Sequence, residues 1–124
     1  MHAVVKGGKT ARASALVQQG LQLILQGRYE DALAAEEAAL GLAPSLPDAH
    51  SYRGSALFQL GRFDEALASY EKVVRLAPNA AVAHYNLANA LNRLRRYDEA
   101  LQSLKRALKL QPHYTDALSL SGNV

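Results

Sequence analysis

A seven-residue block recurs three times in this chain: Gly27 to Leu33 reads GRYEDAL, Gly61 to Leu67 reads GRFDEAL, and Arg95 to Leu101 reads RRYDEAL. The alanines of the three blocks, Ala32, Ala66 and Ala100, stand 34 positions apart, and a proline follows each twelve residues later, at Pro44, Pro78 and Pro112. A unit this short cannot bury its apolar face alone, so copies held in fixed phase must stack on one another. That constraint sets the fold class and points to a chain that binds rather than catalyses.

Within the second copy, Pro47 suits the first turn of a helix and Gly61 ends it. Between them Ala49, Ala56, Leu57 and Leu60 recur at the three-to-four spacing of one helical face. A second helix begins near Asp64 and Glu65, whose carboxylates suit the positive end of the helix dipole, and stops before Pro78. Its apolar face is Ala66, Leu67, Tyr70, Val73, Val74 and Leu76.

Small residues fall where paired helices must approach: Gly20, Gly54 and Ala88 in the first helices, Ala32, Ala66 and Ala100 in the second. Larger side chains there would overpack the crossing at about 1–3 kcal/mol each. Leu23, Leu57 and Leu91 supply bulk beside them, and Tyr29, Phe63 and Tyr97 can close the base of each hairpin. The expected architecture is all-α, a stack of antiparallel helical hairpins.

This pattern resembles the tetratricopeptide repeat family, whose small, aromatic and proline positions are matched by Gly54, Ala66, Phe63, Tyr70 and Pro78. The resemblance covers units 13–46, 47–80 and 81–114 and the opening of a fourth at 115–124, with residues 1–12 left as a leader or linker ordered from about Ala11. It implies a right-handed superhelical solenoid whose first helices line a concave groove. Two departures stand out in the first unit. Glu36 occupies the place of Tyr70 and Leu104, and Gln26 that of Leu60 and Leu94, so this unit is the least ideal. Early in the first helix the family's large aromatic is replaced by Leu16, His50, His84 and Leu118. The fourth unit stops just after its small residue Gly122, from which we expect a fragment or the beginning of a longer protein.

The resemblance also implies the groove-lining positions. In the first unit they include Val17, Gln18, Leu21, Ile24 and Leu25; in the second Asp48, Ser51, Tyr52, Ser55, Phe58 and Gln59; in the third Val82, Tyr85, Asn86, Asn89, Asn92 and Arg93. Asn86, Asn89 and Asn92 share one helical face, where asparagine is a poor helix former unless its amide has a task. Such amides either clamp the main chain of an extended peptide, donating and accepting, or are simply solvated. The run Asn86 to Leu91 is similar to repeats in the superhelical domain of O-linked N-acetylglucosamine transferases. Val17, Leu21, Ile24 and Leu25 form an apolar patch that is either a partner site or covered by the leader. The expected binding residues are therefore Val17, Leu21, Ile24, Tyr52, Ser55, Phe58, Tyr85, Asn86, Asn89 and Arg93.

Sharper motifs fail. Gly8-Lys9-Thr10 ends like a phosphate-binding loop, but the leading glycine would fall on Ala3. His50 and His84 recur in successive units about 10 Å apart, too far to share a metal, and read as packing residues with a polar tip. Asp64–Glu65 and Asp98–Glu99 do not converge for acid–base work. The family's clamp for peptide carboxylates, built from Lys, Asn and Arg, would fall on Val17, Leu21, Tyr52, Val82 and Asn86, of which only Asn86 fits. We expect no catalytic residue, metal or cofactor, and a protein or peptide partner bound by an interaction scaffold. The alternative is a substrate-recruiting accessory domain of a larger enzyme such as a glycosyltransferase.

Composition narrows the partners. The absence of cysteine excludes disulfides and suits a reducing compartment, from which we expect a cytoplasmic location. No apolar run approaches the roughly 18 residues that span a bilayer, so no membrane partner is expected. A net charge of +3 is too small to argue for nucleic acid, and basic residues do not line every unit. The charges are nevertheless polarised: Glu30, Asp31, Glu36 and Glu37 mark the first unit, and Arg93, Arg95, Arg96, Lys105, Arg106 and Lys109 the third. These are either solvated faces or ends that favour homo-oligomers.

Overall fold

The computed structural model describes residues 2–124, with side chains from residue 8 onward. Seven helices follow in order: α1 (His2–Leu25), α2 (Tyr29–Leu42), α3 (Pro47–Gln59), α4 (Phe63–Leu76), α5 (Ala81–Arg93), α6 (Tyr97–Leu110) and α7 (Thr115–Asn123). No strand occurs among the described residues. The pairs α1–α2, α3–α4 and α5–α6 are hairpins, each packed on the next, and α7 lies on α5 and α6. α3 and α5 begin at Pro47 and Ala81, where the 34-residue phase puts them. The result is an all-α repeat solenoid.

The first helix departs from the sequence reading. α1 begins at His2 rather than near Ala11, so the segment read as a leader enters the same helix. Nothing between Met1 and Arg12 is a proline, and one Gly-Gly pair only weakens the helix. Because residues 8–12 continue the helix, they do not fold back over its later turns.

Each hairpin turn reverses through a left-handed residue: Gly27 (φ 75°), Gly61 (φ 77°) and Arg95 (φ 62°). The amide of Arg62 donates to the Leu57 carbonyl at 2.9 Å and that of Gly61 to Phe58 at 3.0 Å, closing the end of α3. Arg95 carries the same turn without glycine's freedom, so Arg95→Gly should stabilise the chain by about 1 kcal/mol, read as a raised urea midpoint. At the start of each following helix an arginine grips an acid three residues on. Arg28 bonds Asp31, Arg62 bonds Glu65 and Arg96 bonds Glu99, with donor–acceptor distances of 2.7–3.1 Å. These pairs are exposed and stabilise little.

Between hairpins the core is a seam of small and aliphatic side chains. Ala32, Ala66 and Ala100 are fully buried, as are Ala56, Ala88, Leu57 and Leu104. The knob that fills the small-residue site differs by unit: the Tyr70 ring lies against Gly54, and the Glu36 carboxyl against Gly20. At Gly122 the corresponding site is open, with nothing within 4 Å of where a Cβ would stand. The recurring histidines tie each hairpin to the loop before it. His50 Nε2 donates to the Pro44 carbonyl and His84 Nε2 to the Pro78 carbonyl, both at 2.8 Å. That is the packing role with a polar tip that their spacing suggested.

Candidate functional site

The face carried by α1, α3, α5 and α7 brings the expected residues into three zones, one at each seam between successive first helices. The chain's order of hairpins decides what each zone contains.

At the α1–α3 seam a small pocket of about 70 Å³ is lined by Ser14, Val17 and Gln18 of α1, Leu46, and Asp48 of α3. Val17 is only 3% exposed and packs with Ala13, Ala39 and Ala49, against which Leu46 and Tyr52 also rest. It is a floor residue rather than part of an exposed apolar patch. Ile24 is half-buried against the core, Leu21 is half-buried, and Leu25 stands 71% exposed. The patch expected from the sequence is therefore reduced: of its four members Val17 is buried, Leu21 and Ile24 are half-buried and only Leu25 is exposed. Tyr52 is half-buried, and its hydroxyl pKa is raised by burial and then by the charges of Asp48 and Glu36.

Glu36 is the feature that the sequence marked only as a departure. Its side chain is fully buried (0% exposed) and both carboxyl oxygens lack a hydrogen-bond partner among the described residues. Burial pushes its pKa up to about 8, with the Asp48 charge adding to the shift. The cation of the neighbouring turn, Arg53, does not help: its guanidinium is held by Glu37 at 3.2 Å and by the Ser69 hydroxyl at 2.7 Å.

At the α3–α5 seam two expected residues are already engaged. The Arg93 guanidinium lies 5.2 Å from the Phe58 ring centroid and 5.3 Å from that of Phe63, while the two rings meet edge-on at 5.1 Å. Beside them the Tyr70 ring lies against Gly54, and burial raises its hydroxyl pKa. Asn86, Asn89 and Asn92 run along the neighbouring face of α5, all half-buried. Among the described residues their amides hydrogen-bond to no other side chain.

At the α5–α7 seam Tyr85 stacks on Tyr114 with ring centroids 5.3 Å apart. Burial and then the Asp116 carboxylate raise the Tyr85 pKa. Asp48 lines the first zone, the Asp116 carboxylate stands near Tyr85 in the third, and Arg93 lies in the second. A larger depression of about 320 Å³ lies on the other side of α5, lined by Glu71, His84, Leu87, Glu99, Ser103 and Arg106 among others. None of the expected binding residues lines it. Among the described residues no cluster of His, Asp and Glu could hold a metal, and no helix is long and apolar enough to cross a membrane.

A family profile described as tetratricopeptide repeat matches residues 17–81 and again residues 53–115. No curated protein sequence matches the chain. Among solved structures, the first TPR of Spaghetti (RPAP3) bound to the HSP90 peptide SRMEEVD is 25% identical and superposes with a TM-score of 0.88, covering 91% of this chain and 90% of that one. The first TPR domain of human RPAP3 is also 25% identical, with a TM-score of 0.86 over 90% and 88% of the two chains. MamA from Desulfovibrio magneticus RS-1 is 26% identical, with a TM-score of 0.85 over 90% of this chain and 63% of its own.

Proposed function

This chain belongs to the tetratricopeptide repeat family, and we propose that it is an interaction scaffold that holds an extended peptide along the face of α1, α3, α5 and α7. One observation carries the reading: Asn86, Asn89 and Asn92 sit half-buried on one face of α5, and among the described residues no side chain hydrogen-bonds to their amides. A carboxamide both donates and accepts, so three in a row match the alternating groups of an extended main chain. Tyr85 stacked on Tyr114 gives that peptide an aromatic wall on the far side.

The RPAP3 relative was solved with SRMEEVD, a peptide carrying three acidic side chains. This groove is poorly suited to such a ligand. The cation Arg93 lies over Phe58 and Phe63, and Asp48 and Asp116 repel carboxylates. A neutral or basic segment fits better. The same amide row supports the second reading, a substrate-recruiting domain of a larger enzyme such as a glycosyltransferase, since main-chain recognition accepts many sequences. The lack of cysteine supports a cytoplasmic setting for either.

Peptides selected from a displayed library on the intact chain provide the test. Asn86→Ala and Asn89→Ala should each lose about 0.5–1.5 kcal/mol of binding by calorimetry. The melting temperature should stay within a degree or two of the parent, because neither amide bonds within the fold. SRMEEVD should bind more weakly than the selected peptides. Unchanged affinity in both variants would remove the amide row from the binding face.

A further inference from the structure

We propose that the α1–α3 end of the groove is a receptor for one cationic side chain, an arginine or lysine of the bound peptide, paired directly with Asp48 and backed by the buried Glu36 carboxyl. The proposal rests on the peptide-groove reading and names what one part of that groove selects.

Four observations converge on this place. The pocket of about 70 Å³ is walled by Ser14, Val17 and Gln18 on one side and Leu46 and Asp48 on the other, giving hydroxyl, amide and carboxylate acceptors beside an apolar floor. That is a setting for the charged tip and aliphatic stem of a long basic side chain. Asp48 is exposed, and among the described residues neither it nor Glu36 forms an ion pair.

Glu36 lies one helical turn from the pocket on both walls. Its carboxyl occupies the space beside Gly20, three residues along α1 from Val17. On α3 its charge is felt at Tyr52, four residues from Asp48. In the second unit the residue at the same place, Tyr70, lies against Gly54. Glu36 lies against Gly20 in the corresponding place.

An unpartnered buried carboxyl destabilises the fold, and the other units use Tyr70 and Leu104 at this place without that cost. Locally unfavourable groups of this kind collect at functional sites. The titratable groups facing Glu36 are Asp48 and Tyr52 of α3. On α1 its carboxyl lies against the Cβ-less Gly20, and on α2 the next residue, Glu37, is turned to Arg53. A cation arriving at Asp48 supplies the missing positive charge and favours the ionised form of Glu36. Binding should then release a proton and tighten as the pH rises toward 8.

The probe is Nα-acetyl-arginine amide, with its neutral citrulline counterpart as control, titrated into the ¹⁵N-labelled chain. The arginine derivative should give saturable shifts at the amides of Val17, Gln18, Asp48 and Tyr52, and the citrulline derivative none. Asp48→Asn, at an exposed site, should keep the fold and weaken binding about tenfold or abolish it. Glu36→Gln should keep a weaker site, lose the pH dependence between 6 and 8, and release no proton when calorimetry is compared in phosphate and Tris. Equal shifts with citrulline, shifts elsewhere, or no shifts would overturn the proposal. Selected peptides that depend on Asn86 but carry no Lys or Arg would sink the cation site and leave the groove. Arginine binding at Asp48, with no selected peptide sensitive to Asn86, would do the reverse.

Discussion

The chain should lose stability as the pH is raised from about 5 to 8, and Glu36→Gln should remove that loss. Glu36 has a folded pKa of about 8 because its carboxyl is buried without a partner, with Asp48 beside it. In the unfolded chain it titrates in the ordinary carboxyl range, near 4.5. The folded state therefore holds this proton more tightly. Its contribution is fully present below about pH 4.5 and declines as the pH rises to about 8, by about 1.4 kcal/mol per unit. Across the window the difference amounts to several kcal/mol, a large share of the stability of a small domain. Glu65 and Glu99 shift the other way, lowered by their bonds to Arg62 and Arg96, so their stabilisation is lost only as the pH falls below the usual carboxyl range. Urea melts at pH 5, 6.5 and 8 on parent and Glu36→Gln isolate the buried acid, because every other group is common to both. Parallel pH profiles would show that Glu36 finds a partner or solvent in solution.

Replacing Gly54 with leucine should cost about 3 kcal/mol or more, and a second substitution should explain why. A Cβ at Gly54 would stand 2.5 Å from Tyr70 Cε1 and 2.8 Å from Cδ1, so the ring must move or the helices must part. Even Gly54→Ala should destabilise, although alanine gains about 1 kcal/mol in helix propensity over glycine. Tyr70→Leu alone should also destabilise, by leaving a cavity. The double variant writes the pair Ala88 and Leu104 of the third unit into the second, and both of those residues are fully buried there. It should recover most of the loss, giving a favourable coupling of at least about 1 kcal/mol in a double-mutant cycle. Additive effects would mean that the glycine and the knob do not share one site.

Much of this architecture was legible in the residues because its causes are local and repeated. Pro47 and the Gly61 turn bound α3, the acids of each block stand in the first turn of the following helix, and the 34-residue phase places Ala81 at the start of α5. The need for small residues at the crossings could also be read, since Gly20, Gly54 and Ala88 recur in one position. The leader was misread because Gly7 and Gly8 weaken a helix without ending one, and α1 runs through them.

The candidate site was legible only as a face. Helical periodicity says which residues share a side of α1, α3 or α5, and it says nothing about what the next hairpin brings against them. Stacking buries Val17 beneath Tyr52 and Leu46 and lays Arg93 over Phe58 and Phe63, while among the described residues Asn86 and Asn89 hydrogen-bond to no other side chain. It also encloses Glu36 beside Gly20, turning what the sequence showed as an imperfect repeat into a buried, proton-holding acid. The repeat, its helices and their small-residue crossings follow from backbone propensity and period, which are local properties of the residues. Which residues of that face are engaged, and how strongly each is charged, depends on desolvation and partners brought by side chains on other hairpins, which no local pattern encodes.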